Sequence, residues 1–503
     1  MKDHLRTSRV RTALALLAIT AAGLLVHGYH LGTDDAAIYA PGMKRAADPS
    51  LYPFNSEFFM NHAGWSVFPQ LVGGTARLTG MPIDAAIFLW YLGSMLAVLT
   101  AALFFLRACF PTASSHWTGV GTLAVLLNVP VAGTALLIAD PYLTARSLST
   151  ATTLFAITAI LTNRPLRAAL LIAASLVIHP QMAVFGMLFA ACHAVARKSG
   201  PPAEWARARA AVSMGAILPL LTLDFHPARG TYREILVSRG YFLVSTWHWW
   251  EWVGIFAPLT ILALLPGLLR RPTPTLRAAC RASVLLGLIA TVSGVVIASS
   301  RSFQMIARIQ PMRSFHPIYM ILFLLLGGLL GEYVLKHRWW RHAAFFGTLA
   351  GAMLTVEVAT YPMSPHVEWP GAAYGGGWPS AFLWIRSNTP KNAVFAINPD
   401  YMLRPGVDLH GFRALAERSV LADNVKDSGA VSVFPGLADD WQRQTDALKG
   451  WHGFRRRDFE TLSTTWGIEW VVIGRSHPSD GLNCRFENDV VKVCRILPVR
   501  DGR

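Results

Sequence analysis

Long apolar runs recur along the first 360 residues of this 503-residue chain, and short polar or basic loops separate them. A run of about 20 apolar residues is long enough to cross a bilayer as a helix. The pattern therefore predicts an α-helical polytopic membrane domain over 1–360 with about eleven spans. The predicted spans lie at about 12–31, 84–106, 118–139, 147–163, two half-depth helices within 170–196, then 210–223, 252–269, 283–299, 315–335 and 343–360.

The run at 170–196 fits either one long helix or two short ones around His179-Pro180. Proline disfavours a continuous helix and restricts the residue before it. One helix would place Arg197 and Lys198 outside, whereas two helices keep them inside, as the positive-inside rule prefers. We therefore expect two short helices, with His179 near the outer face.

The composition changes after residue 360, where proline, glycine and polar residues become frequent. This change predicts a linker over 361–380 and a small soluble α/β domain over 381–503. Its strands are expected at 393–397, 419–422, 470–473 and 490–496, and its helices at 378–388, 439–448 and 456–464. Cys484 and Cys494 flank a predicted hairpin, where a disulfide and two unpaired core cysteines are both possible.

The distribution of basic residues predicts the orientation of the chain in the membrane. Only 15% of the residues are charged, 53% are hydrophobic, and the net charge is +16. Much of the positive charge lies in short loops between apolar runs, which is typical of topology signals. The N-terminus is thus expected in the cytoplasm and the C-terminal domain outside. Membrane lipids are the expected surroundings. No nucleic-acid partner is expected, because no nucleic-acid or nucleotide-binding motif occurs.

An acidic stretch at 31–53 follows the first span directly. Asp34 and Asp35 come where the helix leaves the bilayer, and Asp48 follows on the same loop. Carboxylates beside hydrocarbon are costly unless they bind something. An acid pair suits Mg²⁺ or Mn²⁺, and one carboxylate could also take a proton. The alternative is a solvated loop whose acids merely end a helix.

The second outer loop adds Asp140, which could hold the metal together with Asp35, or could instead cap the next helix. Arginines on the outer side run against the positive-inside tendency, and guanidinium groups bind phosphate bidentately. The alternatives are headgroup anchoring for the arginines and an ordinary buried histidine for His179. The expected substrate-binding residues are Asp48, His179, Arg146, Arg301, Arg308 and Arg313.

These features together resemble the GT-C superfamily of polytopic membrane glycosyltransferases. The resemblance lies in the acid pair after span 1, the long first outer loop, Asp140 and the soluble outer domain. The phrases DPSLYP, WIRSNTP, AVFAINP, FRALAERSVLADNVKD and QPMRSFHP are similar to a bacterial membrane-protein branch with that architecture. The chain departs from the superfamily in lacking a WWD-type oligosaccharyltransferase motif, which leaves the acceptor open.

The resemblance implies a bacterial inner-membrane enzyme that moves a sugar from a polyprenyl-phosphate-linked donor to a glycan, lipid or protein acceptor. The transfer would be inverting and would occur at the extracytoplasmic leaflet, with Asp34 or Asp35 as base and Asp140 as a second acid. A transporter or flippase of an anionic lipid would instead carry ionisable residues at the midplane and show internal repeats. A non-catalytic scaffold of an envelope-polysaccharide assembly is the third hypothesis.

Overall fold

The computed structural model describes residues 2–196, 225–372, 376–404 and 408–497. The helices of the membrane part before the first gap are α1 (Lys2–His27), α2 (Ala36–Ala47), α3 (Glu57–Ala63), α4 (Phe68–Thr79), α5 (Ile83–Cys109), α6 (Ala113–Val125), α7 (Ala145–Leu161), α8 (Pro165–Ile178) and α9 (Pro180–Ala196). Those after it are α10 (Gly230–Ser238), α11 (Trp249–Leu268), α12 (Pro274–Ser299), α13 (Phe315–Leu329) and α14 (Trp339–Thr360).

Six helical stretches of the described chain are long and apolar enough to cross a membrane. They are Arg9–His27, Ile83–Cys109, Trp249–Leu268, Pro274–Ser299, Arg301–Leu335 and Trp339–Thr360. Three shorter apolar helices, α7, α8 and α9, accompany them. The chain is thus a multi-pass helical membrane protein, as predicted. The span expected at 210–223, together with Arg197 and Lys198, lies outside the described residues.

One predicted span is wrong. The helix expected over 118–139 ends at Val125, and the chain then folds back as an irregular hairpin in which Val131 N donates to Leu136 O at 2.8 Å. Pro130 cannot continue a helix, and Ala132 has a φ of 44°. Val131 and Leu136 are buried among the helices. Apolar composition does not distinguish a buried hairpin from a span, which explains the error.

The break at His179 is confirmed. Helix α8 ends at Ile178, His179 is extended (φ −154°, ψ 96°), and α9 begins at Pro180. The long stretch between α1 and α5 contains the short helices α2, α3 and α4. Helix α2 packs against both α3 and α4.

The C-terminal part is a small α/β domain, as predicted. Its helices are α15 (Gly377–Asn388), α16 (Phe412–Ala416), α17 (Lys426–Val433), α18 (Ala438–Ala447) and α19 (Arg456–Trp466). Its strands are β1 (Val394–Ile397), β2 (Ser419–Val420), β3 (Trp470–Gly474), β4 (Leu482–Glu487) and β5 (Val491–Ile496). The sheet order is β2-β1-β3-β5-β4, with β2, β1 and β3 parallel and β5 and β4 antiparallel. Cys484 and Cys494 are paired across β4 and β5 and form a disulfide.

Candidate active site

The stretch between α1 and α2 carries the acid pair, and residues of the C-terminal domain hold it in place. The amide of Asp34 donates to the carbonyl of Leu409 at 3.1 Å, and the amide of Gly411 donates to the carbonyl of Gly32 at 2.8 Å. Asp34 itself has a φ of 49°. This left-handed conformation costs about 1–3 kcal/mol in a non-glycine residue and persists where the surroundings impose it. The C-terminal domain therefore fixes the backbone of the acid pair.

A lysine from the C-terminal domain lies against both acids. Lys426, the first residue of α17, forms an ion pair with Asp34, and its Nζ lies 3.5 Å from Oδ1 of Asp35. The hydroxyl of Tyr142 donates to Oδ2 of Asp34 at 3.1 Å. The side chains of Asp34 and Asp35 are 41% and 37% exposed, whereas that of Lys426 is 12% exposed. The two carboxylates are thus partly open to solvent, whereas the cation that contacts them is largely shielded.

The loop between α6 and α7 adds a buried ion pair, Asp140 with Arg146. Thr144, rather than Asp140, is the N-cap residue of α7, and its amide donates to Oγ of Ser147 at 3.1 Å. The start of α7 therefore does not need Asp140. The Asp140 carboxylate instead orients the guanidinium of Arg146.

The pKa values of Asp35 and Asp140 are shifted in opposite directions. Burial alone would raise the pKa of Asp35, but the positive charges of Lys426, Arg146 and Arg313 outweigh burial and hold the pKa below its usual value. Asp35 is therefore ionised at neutral pH. Burial raises the pKa of Asp140, and Arg146 offsets this rise only in part. The environment thus favours the anion at Asp35 and disfavours it at Asp140.

Arg313 is a cation that has no carboxylate within ion-pair distance among the residues described. It lies in the 3-10 turn Pro311–Ser314 before α13, with its guanidinium 5.6 Å from the centre of the Tyr241 ring. Its Nε is buried and has no hydrogen-bond partner in the described part of the chain. Arg313 lies within electrostatic range of both Asp35 and Arg146. A buried donor without a partner is costly, so this position suits an anionic ligand.

The residues described so far form one charged cluster, which contains Asp34, Asp35, Asp140, Tyr142, Arg146, Arg313 and Lys426. Three of the predicted site residues lie apart from this cluster. Asp48 follows the far end of α2, whose 12 residues place it about 18 Å from Asp35 along the helix axis. Asp48 pairs there with Lys391 at 2.6 Å. Arg301 is exposed. Arg308 lies near α10 and interacts electrostatically with Tyr232 of that helix. The roles predicted for these three residues stay predictions.

His179 borders the cluster from the break between α8 and α9, within range of the charges of Arg146 and Arg313. Two members of the cluster were missed by sequence reasoning. Tyr142 stands between Asp140 and Arg146 in DPYLTARS, so treating that motif as one unit would have found it. Lys426 lies in the phrase FRALAERSVLADNVKD, but nothing in the sequence links it to its partner Asp34, which is 392 positions away.

The expected metal was tested against the side chains present. Among the described residues, no group of three or more His, Cys, Asp or Glu side chains could hold a metal ion. The predicted ligands Asp35 and Asp140 already lie beside cations, Lys426 and Arg146 respectively. Mg²⁺ requires a near-octahedral set of oxygen ligands, which these residues as placed do not fit. Dependence on Mg²⁺ or Mn²⁺ stays a prediction.

No protein-family model matches the chain, and no curated protein matches it. Several solved structures match the chain, including the following two. The arabinofuranosyltransferase AftD from Mycobacteria superposes with a TM-score of 0.52 at 15% identity, covering 96% of this chain and 41% of AftD. The archaeal oligosaccharyltransferase AglB from Archaeoglobus fulgidus, in complex with an inhibitory peptide and a dolichol-phosphate, gives a TM-score of 0.42 at 11% identity. That match covers 93% of this chain and 70% of AglB.

This chain therefore spans less than half the length of AftD. At such low identity, the likeness to AftD concerns the fold alone. It confirms the resemblance to the GT-C membrane fold that the sequence predicted.

Proposed function

We propose that this chain is a glycosyltransferase that moves a sugar from a polyprenyl-phosphate-linked donor to an acceptor hydroxyl at the extracytoplasmic leaflet of a bacterial inner membrane. The observation that carries the proposal is an ionised, partly exposed Asp35 within electrostatic range of Arg313, which has no ion-pair partner among the described residues, in a GT-C fold. The distribution of basic loops supports a cytoplasmic N-terminus and an extracytoplasmic C-terminal domain.

Asp35 is the base in this proposal. Its carboxylate accepts the proton of the acceptor hydroxyl while the hydroxyl oxygen attacks the anomeric carbon. The bond from that carbon to the donor phosphate oxygen breaks, and its electron pair leaves with the lipid phosphate. Attack from the face opposite the leaving group inverts the anomeric centre. Asp34 is less suited to the role, because both of its oxygens already have partners, Lys426 and Tyr142.

The arginines stabilise the leaving group. Negative charge grows on the lipid phosphate as the sugar departs, and fixed cations at that point lower the barrier. Arg313 supplies a guanidinium that is not paired with a carboxylate among the described residues, while Asp140 holds Arg146 in orientation. Asp35 lies within electrostatic range of both guanidinium groups, which supports a phosphate site beside the base. The acceptor class, whether glycan, lipid or protein, stays open.

The test compares two aspartate substitutions, one in the acid pair and one on the exposed surface of α18. Purified protein in lipid nanodiscs is given a panel of undecaprenyl-phosphate-linked sugars, and release of undecaprenyl phosphate is measured. Asp35→Asn removes the base and should lower the turnover rate by about 10²-fold or more, without changing the unfolding temperature appreciably. Asp440→Asn, the matched control in an exposed pair with Arg443, should keep the wild-type rate. Equal rates in the two variants would contradict the proposal.

A further inference from the structure

The first turn of α17 carries Lys426, and several hydrogen bonds fix the backbone of this turn. The carboxylate of Asp423 accepts hydrogen bonds from the amides of Val425 at 2.7 Å and Lys426 at 2.6 Å. These bonds satisfy two of the donors that a helix start leaves free. The backbone that carries Lys426 is therefore capped from within the C-terminal domain.

Further bonds fix this turn from both sides. Asp427 pairs with the buried Arg413 at 2.6 Å, and the indole of Trp441 donates to the carbonyl of Asp423 at 2.8 Å. From the membrane domain, Arg239 donates to the carbonyl of Val425 at 2.5 Å and also bonds Ser428. Both domains thus hold the turn, and with it the lysine side chain, in one orientation.

The ammonium group of Lys426 occupies the space between the two carboxylates, in contact with Asp34 and 3.5 Å from Asp35. The side chain of Lys426 is only 12% exposed, so its ammonium group is largely shielded from solvent and faces the two carboxylates. It supplies positive charge at the place where a paired-carboxylate site would bind a metal.

We propose that Lys426 is the resident cation of the acid pair, so that the transfer needs no divalent metal and does need the docked C-terminal domain. The inference rests on the proposed function, since it concerns the base of that reaction. Lys426 acts through Asp35 and is a positioning residue. It holds and orients the carboxylate from one side, and takes no part in the proton transfer.

The first experiment uses the wild-type protein and Mn²⁺ as the probe. After dialysis against EDTA, transfer should continue at its full rate. Electron paramagnetic resonance should show the same Mn²⁺ binding in wild type and in Asp34→Asn/Asp35→Asn. Loss of activity that Mn²⁺ restores, or Mn²⁺ binding that the double variant abolishes, would overturn the inference. The resonance measurement decides the question even if no donor in the panel supports transfer, so it is separable from failure of the proposed function.

The second experiment varies the lysine. Lys426→Met should lower the transfer rate roughly 10–100-fold, the equivalent of one charged hydrogen bond. Lys426→Arg keeps the charge and should retain more of the rate than Lys426→Met. Lys391→Met removes the exposed lysine partner of Asp48 and should leave the rate unchanged. Wild-type activity in Lys426→Met, or equal losses in the Met and Arg variants, would contradict the role of the charge.

Discussion

Two charge clusters lie at opposite ends of α2, and they are built differently. At the C-terminal end, the ammonium of Lys44 lies 2.8 Å from Asp84 and 2.9 Å from Glu417. Arg386 pairs with the same two acids, at 2.5 Å and 3.0 Å. Two positive charges therefore face two negative charges, and the Lys44 side chain is fully buried. The cluster joins α2, the span α5 and the C-terminal domain.

At the N-terminal end, not every charged group has a partner of opposite charge among the described residues. We call this group of residues (Asp34, Asp35, Lys426 and Arg313) the open cluster, and the Lys44, Asp84, Glu417 and Arg386 network the closed cluster. Asp34 and Asp35 are more than one third exposed, and Arg313 has no carboxylate within ion-pair distance among the residues described. The comparison teaches that charge alone does not mark a functional site. A satisfied, buried network supports the fold, whereas a cluster with open carboxylates and an unpaired cation leaves binding capacity for a ligand.

The largest effect is expected in the closed cluster. Lys44→Met removes one cation from two buried acids, and breaking a buried ion pair typically costs about 3–5 kcal/mol. We expect the lower end of that range, because Arg386 still binds both acids. Chemical unfolding of the purified protein measures the loss. The control Lys391→Met, in an exposed pair, should cost about 0–1 kcal/mol. Equal stability of the two variants would mean that the Lys44 cluster does not hold the domains together.

A second prediction concerns lipid phosphate binding at the open cluster. Arg313→Gln should weaken binding of undecaprenyl phosphate by about 1.5–3 kcal/mol for one charged hydrogen bond lost. Arg313→Lys should not restore it where the contact is bidentate. The comparison is with the exposed Arg301, whose predicted role the same experiment tests, and Arg301→Gln should weaken binding less than Arg313→Gln does. The measurement is titration of protein in nanodiscs. Stronger loss at Arg301 than at Arg313 would move the phosphate site away from Arg313 and Asp35.

The smallest effect is a change in pH dependence at a third, buried cluster. Glu368 lies 2.7 Å from Nε2 of His410. Burial alone would lower the pKa of His410, but Glu368 raises it above its usual value. A raised folded-state pKa stabilises the protein below about pH 6.5, and this contribution is lost as pH rises through the folded-state pKa.

Unfolding temperatures between pH 6 and pH 9 test this sign. Wild type should lose stability on the alkaline side by more than Glu368→Gln does, since the variant lacks the carboxylate that raises the pKa of His410. Parallel curves for the two proteins would show that the histidine carries no charge in the folded state. The buried clusters would then be purely structural at every pH tested.

Local features of the chain were predictable, and distant contacts were not. The spans, the break at Pro180 and most strands of the sheet follow from apolar periodicity and from proline. The acid pair follows from its place beside the first span. The hairpin after α6 was misread, because apolar residues buried in protein and those facing lipid have the same composition.

The ion-pair partners of the charged residues could not be predicted from the sequence. Lys44 pairs with Glu417, which is 373 positions away, and Lys426 pairs with Asp34 across 392 positions. No periodicity or motif links such positions in a single chain. For the same reason Arg313 could not be separated from Arg301 and Arg308, since all three precede the same span.

The most direct test is a cryo-electron microscopy structure of the protein with undecaprenyl phosphate bound. The phosphate is predicted to lie within hydrogen-bond distance of Arg313, where Asp35 can reach the attached sugar, with Lys426 still between the two aspartates. Phosphate density at Arg301 or Arg308, or at any site from which Asp35 cannot reach the sugar attached to that phosphate, would contradict the proposed catalytic site.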